Sequence, residues 1–381
     1  MRSIREADIN GKRVFLRVDF NVPFDERTKK VLDTFRIEAS VPTIRYILDR
    51  KGKLILCSHL GRPGGKVVES LRIEPVAREL SKIIELPVKA LRDSIGEEVE
   101  EEVRRLKDGE ALFLENIRFY PEEEKNDPEF SKKLANLADI FVNDAFSVSH
   151  RAHASVYGIA KLLPSYAGFL LEKEVSNLRK LVKNPEKPFI AVIGGAKIKD
   201  KAEVLEKLLH TADLILIGGG MASLFLKAKG LEIGESKFDG DVEFAKKLLG
   251  RVLLPVDVVV SRKFGEGEDV MEVPVDKVPP GFYIMDIGRR TIELFSEKIK
   301  GARTVFWNGP MGVFEIDAFS RGTRAIASAI SEMKGMSIVG GGDTAEFVRK
   351  EGYNFTYISV GGGATLEFIA KGTLPGIEVL E

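Results

Sequence analysis

Ten short apolar runs recur along this 381-residue chain, and most are continuous rather than alternating. They are Val14–Val18, Leu54–Cys57, Ala111–Leu114, Ile140–Val142, Phe189–Ile193, Leu214–Ile217, Val256–Val260, Thr304–Trp307, Ser337–Val339 and Tyr357–Val360. A continuous run of Val, Ile, Leu and Phe suits a strand buried on both faces of a parallel sheet. Helical patterns lie between the runs. Ile73–Ile84 places Val76, Leu80, Ile83 and Ile84 on one face, and Ala202–Leu209 does the same with Val204, Leu205, Leu208 and Leu209. Strand alternating with helix over the whole length predicts an α/β protein of doubly wound, Rossmann-like parallel sheets with right-handed crossovers.

The stretch Phe169–Val182 reads as a helix with Leu171, Val175, Leu178 and Val182 on one face, stopped by Asn184-Pro185 and Lys187-Pro188. The residues before it, Gly158–Tyr166, read as a loop. A helix between two sets of strands makes a stiff connector. Two domains are therefore expected, at 1–168 and 184–369, joined by a helix at 169–183. The acidic run Glu97–Glu102 reads as a solvated helix face.

Composition removes several function classes. Lys plus Arg and Asp plus Glu are both 58, so the net charge is zero and the basic excess of a nucleic-acid binder is absent. The longest apolar window, Leu214–Leu226, holds three glycines and is too short to span a membrane. The first residues carry charges where a secretory leader needs apolar ones. One cysteine excludes an internal disulfide and suits a reducing, cytoplasmic setting. Glutamine is absent and charged residues reach 30%, the balance expected of a heat-adapted protein.

In open α/β sheets, ligands bind beyond the carboxyl ends of the strands. In the first half those ends are polar and basic: Asp19 and Asn21, then His59 and Arg62, then Arg118, then His150, Arg151 and His153, with Arg36 in a loop before a helical stretch. Such groups converging on one edge suit a small phosphate- or carboxylate-bearing anion, because the guanidinium fork matches both. Any one of these arginines alone would read as a surface charge. Cys57, inside an apolar run, reads as core.

In the second half the strand ends are glycine-rich: Gly194-Gly195, Gly218-Gly219-Gly220, Asn308-Gly309-Pro310, Gly340-Gly341-Gly342 and Gly361-Gly362-Gly363, each leading to a helix. Glycine lets backbone approach a ligand closely, and helix-start N–H groups attract phosphate. Five such loops point to a nucleotide. A Walker A loop is absent. Gly340–Ala345 fits GxGxxA, but Ser359-Val360 stands where a dinucleotide site needs a ribose-binding acid. Asp343 inside the loop instead suits Mg²⁺ held between phosphates and one carboxylate, which favours ATP or ADP over NAD. A dehydrogenase and a non-catalytic nucleotide or sugar-phosphate sensor are the rival readings.

Nine motifs in order, RVDFNVP (17–23), SHLGRP (58–63), LENIRF (114–119), HRAHAS (150–155), GGAKIKDK (194–201), GGGMA (218–222), WNGPMGVFE (307–315), GGGDT (340–344) and GGGATLE (361–367), resemble the phosphoglycerate kinase family over nearly the full length. The resemblance implies reversible phosphoryl transfer between 1,3-bisphosphoglycerate and MgADP, giving 3-phosphoglycerate and MgATP. It implies an N-terminal domain for phosphoglycerate and a C-terminal one for nucleotide, facing each other across a cleft, with the tail 370–381 packed on the first. By motif, Asp19, Asn21, Arg36, His59, Arg62, Arg118 and Arg151 would hold phosphoglycerate. Gly195, Lys201, Gly219, Asn308, Glu315, Gly340, Gly341, Gly342, Asp343 and Thr344 would hold the nucleotide, with Glu315 on the ribose and Asp343 on Mg²⁺. Arg36, Lys197 and the N–H groups at Gly342 and Gly362 would stabilise the moving phosphoryl group, with no covalent intermediate. The chain is expected to act as a monomer, without nucleic-acid or membrane partners. It departs from the family pattern at Val360, where many members carry Thr, and at Ser147-Val148-Ser149 before His150, where a Gly-Thr pair is frequent.

Overall fold

The computed structural model describes residues 1–25, 27–195, 201–265 and 269–381. The chain divides into two compact units, residues 1–176 with 373–381, and residues 177–372.

The first unit contains β1 (Arg13–Arg17), a hairpin of β2 (Phe24–Asp25) and β3 (Lys30–Val31), then β4 (Lys53–Cys57), β5 (Val88–Ala90), β6 (Ala111–Phe113), β7 (Ile140–Asn143) and β8 (Ser165–Ala167). Six of these form one parallel sheet in the order β5-β6-β4-β1-β7-β8. Every residue of the central runs Val14–Arg17, Leu54–Cys57 and Ile140–Asn143 is buried, as strands covered on both faces require. The strand order turns at β1, whose neighbours are β4 and β7.

The second unit contains β9 (Phe189–Ile193), β10 (Leu214–Ile217), β11 (Val252–Leu253), β12 (Asp257–Ser261), β13 (Met271–Pro274), β14 (Tyr283–Ile287), β15 (Thr304–Asn308), β16 (Met336–Gly340) and β17 (Tyr357–Ile358). Its parallel sheet runs β11-β10-β9-β15-β16-β17, a dinucleotide-fold order that reverses direction between β9 and β15. Trp307, Phe306 and Val192 fill its centre.

One apolar run is not a parallel strand. Val256–Val260 falls on β12, which pairs antiparallel with β13 and β14 in a separate three-stranded sheet. The stretch 262–270 between β12 and β13 is too short for the helical crossover that a parallel pair needs. The loop expected at Gly158–Tyr166 instead contains helical turns through Ala154–Lys161 and runs into β8. Arg36 is not in a loop: it is the second residue of the helix Phe35–Asp49. The helix Phe169–Lys183 runs from the first unit into the second. Among the described residues no helix is long and apolar enough to cross a membrane.

The last residues belong to the first unit's core. Asn143 Nδ2 donates to the Gly376 carbonyl at 3.0 Å, and Ile377 and Leu380 are fully buried. Ile377→Ala should cost about 2–5 kcal/mol in urea unfolding; a loss below about 0.5 kcal/mol, the scale of a surface change, would contradict a packed tail.

Candidate active site

In the first unit, the turn of strand order brings the ends of β1 and β7 together. Asp19, two residues past β1, accepts hydrogen bonds from Ser147 Oγ and Arg36 Nη1, and from the Asn21 N–H at 3.0 Å. His59, past the end of β4, stands 3.8 Å from the same carboxylate. Burial alone would raise the Asp19 carboxyl; the Arg36 guanidinium and the hydrogen bonds from Ser147 and Asn21 oppose it and hold the group well below the usual carboxylate range. Asn21 Oδ1 accepts the Gly61 N–H at 2.8 Å, and the Gly61 carbonyl accepts Arg118 Nη1 at 2.9 Å. Arg151 Nε donates to His150 Nε2 at 3.2 Å.

Arg118 reports the character of this cluster. Burial, then the charges of Arg17 and Arg151, push its guanidinium down to about 10. Arg118 and Arg17 are buried, and like charges brought together away from water disfavour one another, which an anion would offset. The structure thus gathers Asp19, Asn21, Arg36, His59, Arg118 and Arg151 at one sheet edge. Arg62 stands exposed on the loop that carries His59 and Gly61.

Three residues beneath the cluster were missed by reading strand ends. Arg17, Glu123 and Ser155 are all buried, and Arg17 Nε donates to Ser155 Oγ at 2.8 Å. A charged residue inside the apolar run Val14–Val18 was the available signal for Arg17. Glu123 lies in the acidic stretch Glu122–Glu124 and carries no such signal. Cys57 is core: burial pushes its thiol up to about 12.

In the second unit, the glycine loops line a cavity of about 760 Å³ whose walls include Gly195, Gly219, Pro310, Val313, Glu315 and Asp343. The glycines are of two kinds. A Cβ at Gly194 or Gly219 would fall 2.1 or 2.6 Å from the Pro310 carbonyl oxygen, so these loops pack backbone on backbone. A Cβ at Gly342, Gly362 or Gly363 would meet nothing within 4 Å. Packing does not demand glycine at Gly342 or Gly363, while Gly362 takes φ +54°, a conformation that favours glycine. Gly342–Lys350 and Gly363–Lys371 are both nine-residue helices, and they follow the neighbouring parallel strands β16 and β17, so two helix starts lie on the same edge of the sheet.

The polar groups of this edge are tied down. Lys201 Nζ donates to the Gly194 carbonyl at 2.6 Å, and the Gly309 N–H donates to Thr344 Oγ1 at 3.0 Å. Asn308 is buried beside Gly341, which follows Gly340 and takes φ +93°, a conformation that favours glycine. Lys197 lies outside the described residues. Asp343 sits in the first turn of its helix, and among the described residues no three metal-ligating side chains cluster. A lone carboxylate suits Mg²⁺, which arrives on nucleotide phosphates and keeps several waters.

A family model described as phosphoglycerate kinase matches residues 4–371. The chain belongs to the phosphoglycerate kinase family. It is 48% identical to the phosphoglycerate kinase of Pelotomaculum thermopropionicum, covering all of this chain and 98% of that one. It is 49% identical to that of Moorella thermoacetica, over 99% and 98% of the two chains. The solved phosphoglycerate kinase of Coxiella burnetii superposes with a TM-score of 0.87 at 38% identity, over 99% and 98% of the chains, and that of Pyrococcus horikoshii with 0.85 at 35%, over 100% and 98%. The activity is that of the family, reversible transfer of a phosphoryl group between 1,3-bisphosphoglycerate and ADP. Phosphoglycerate kinases use ATP and ADP with Mg²⁺.

The basic cluster has a pH signature. Burial, then Arg17, Arg118 and Arg151, push His153 down to about 4. In the unfolded chain a histidine takes its proton near 6.5, so folding is fully supported above that pH and loses support as pH falls toward 4. Between pH 7 and 5, His153→Gln should lose about 1–2 kcal/mol less unfolding free energy than the parent. Parallel stability curves would contradict this.

Proposed function

We propose that the two catalytic partners bind on separate units: phosphoglycerate at the basic edge of the first, nucleotide at the glycine edge of the second. The observation that carries this division is the gathering of Arg36, His59 and Arg118 around Asp19, Asn21 and Gly61 past the strand ends of the first unit, a set of donors that a phosphate or carboxylate would engage. Asp19, Asn21, Arg36, His59, Arg62, Arg118 and Arg151 hold the phosphoglycerate. The 760 Å³ cavity takes the nucleoside, with Glu315 toward the ribose, and the helix starts at Gly342 and Gly363 take the phosphates. Asp343 holds the Mg²⁺ that the nucleotide brings, which neutralises charge on the phosphates.

The acyl phosphate is a reactive donor, so the protein's task is alignment and charge stabilisation. Arg36 serves from one unit and Lys197 from the other. Backbone N–H groups near Gly342 and Gly362 add fixed dipoles where charge develops on the equatorial oxygens. Alignment alone supplies about 7–11 kcal/mol. Ligands on separate units react only after a hinge motion brings them together, and the helix Phe169–Lys183 is the proposed connector. That motion also excludes water, which competes for the phosphoryl group. The enzyme is proposed to work as a cytoplasmic monomer.

Losing one preorganised donor costs about 3–4 kcal/mol, or 10²–10³ in rate. Lys197→Ala should therefore lower kcat by at least about 10²-fold with a modest change in KM; near-normal turnover would remove Lys197 from the mechanism. Arg151→Ala should raise KM for 3-phosphoglycerate and leave KM for ATP unchanged. An equal effect on both would refute the division between units.

A further inference from the structure

We propose that Arg17, locked by Ser155 and Glu123, is a positioning residue that fixes the tautomer of His59, so that the imidazole offers its Nε2–H to phosphoglycerate. The inference rests on the reading that His59 touches that ligand, and it says how.

The lock is a one-directional chain. Glu123 is fully buried and spends both carboxylate oxygens on one residue: Oε1 accepts the Ser155 hydroxyl at 2.6 Å and Oε2 the Ser155 N–H at 2.8 Å. The hydroxyl has one proton, and Glu123 takes it. Its lone pairs are then left for Arg17 Nε, which donates at 2.8 Å. Arg17 Nη1 donates to the Val18 carbonyl. Two corners of the guanidinium are thus held, which fixes its plane.

The third corner, Nη2, lies 3.4 Å from His59 Nδ1. A guanidinium is donor-only and stays protonated in proteins. Nδ1 must therefore be the bare, accepting nitrogen, and the proton of the neutral ring sits on Nε2. Asp19 Oδ1 is the competing partner of Nδ1, but at 3.8 Å it is beyond hydrogen-bond distance. The charged groups around His59 are Asp19, Arg17, Arg118 and Arg36. Burial, then the three arginines, disfavour the imidazolium more than Asp19 favours it, so the ring stays neutral well below its ordinary value of 6.5. A neutral donor adds direction to an anion site already rich in charge, without adding to the strain on Arg118.

The test needs no mutation to begin. Two-bond ¹H–¹⁵N spectra of the histidine side chains, assigned by comparison with His59→Asn, report the tautomer directly. The proposal expects a bare Nδ1 and a protonated Nε2 at His59, unchanged from pH 8 to 5.5, with the Nε2 signal moving when 3-phosphoglycerate is added. A protonated Nδ1, or titration near 6.5, overturns it. Ser155→Ala and Arg17→Lys should then give a mixed tautomer and raise KM for 3-phosphoglycerate in proportion to the lost Nε2–H form, about twofold at an even mixture, with KM for ATP unchanged. If both variants keep the parental tautomer, or raise both KM values alike, Arg17 is structural only and the proposal fails. A wrong tautomer that still responds to 3-phosphoglycerate overturns the relay alone. A correct tautomer that ignores the ligand overturns the substrate assignment, and with it the relay's purpose.

Discussion

Helices on both faces of a parallel sheet leave the chain one place to put its chemistry. The faces of β1, β4 and β7, and of β9, β15 and β16, are buried in apolar side chains. Only the residues just past the carboxyl ends of the strands can meet a ligand, and they meet it together because parallel strands all end on the same edge. Both units obey this constraint: the candidate site residues with a described position lie past a strand end or at the start of a helix, except Asn308 and Gly340, which are the last residues of β15 and β16.

In the proposed division the two units would meet an anion by different physics. The first would use side-chain charge, and two carboxylates tie down two of its arginines. Asp19 ties Arg36 to the end of β7 through Ser147, and Glu123 offsets buried Arg17 through Ser155. The second uses backbone dipoles. Its glycine loops pack so closely at Gly194 and Gly219 that no side chain fits, and they leave open space at Gly342, Gly362 and Gly363, where two helices start. Side-chain charge suits a small acid recognised by its anionic ends. Backbone dipoles suit a polyphosphate that must be gripped, moved and released.

Much of this was legible in the residues because buried parallel strands leave a strong trace. Nine of the ten apolar runs fall on strands of the two parallel sheets. The strands of these two sheets that no run covers, β5, β8 and β11, are short edge strands, two or three residues long, and an edge position demands no continuous apolar run. Val256–Val260 has the same composition as its parallel counterparts, and only the short connection after it reveals the antiparallel pairing. At the site, arginines and glycines past strand ends were legible because position alone gives them meaning. Arg17 was hidden inside a strand, Glu123 among solvated neighbours, and Ser155 by its ordinariness. Their roles exist only through contacts across more than thirty residues of sequence, as with Glu123 and Ser155, which no local pattern records.

The central claim is that acid and nucleotide are held by different units through different physics. A crystal structure with 3-phosphoglycerate and MgADP bound together tests it most directly. The account predicts the acid's anionic groups against Arg36, Arg118 and Arg151, and the ADP phosphates on the N–H groups that begin the helices at Gly342 and Gly363. Both molecules on one unit, or the acid lodged on the glycine loops, would contradict it.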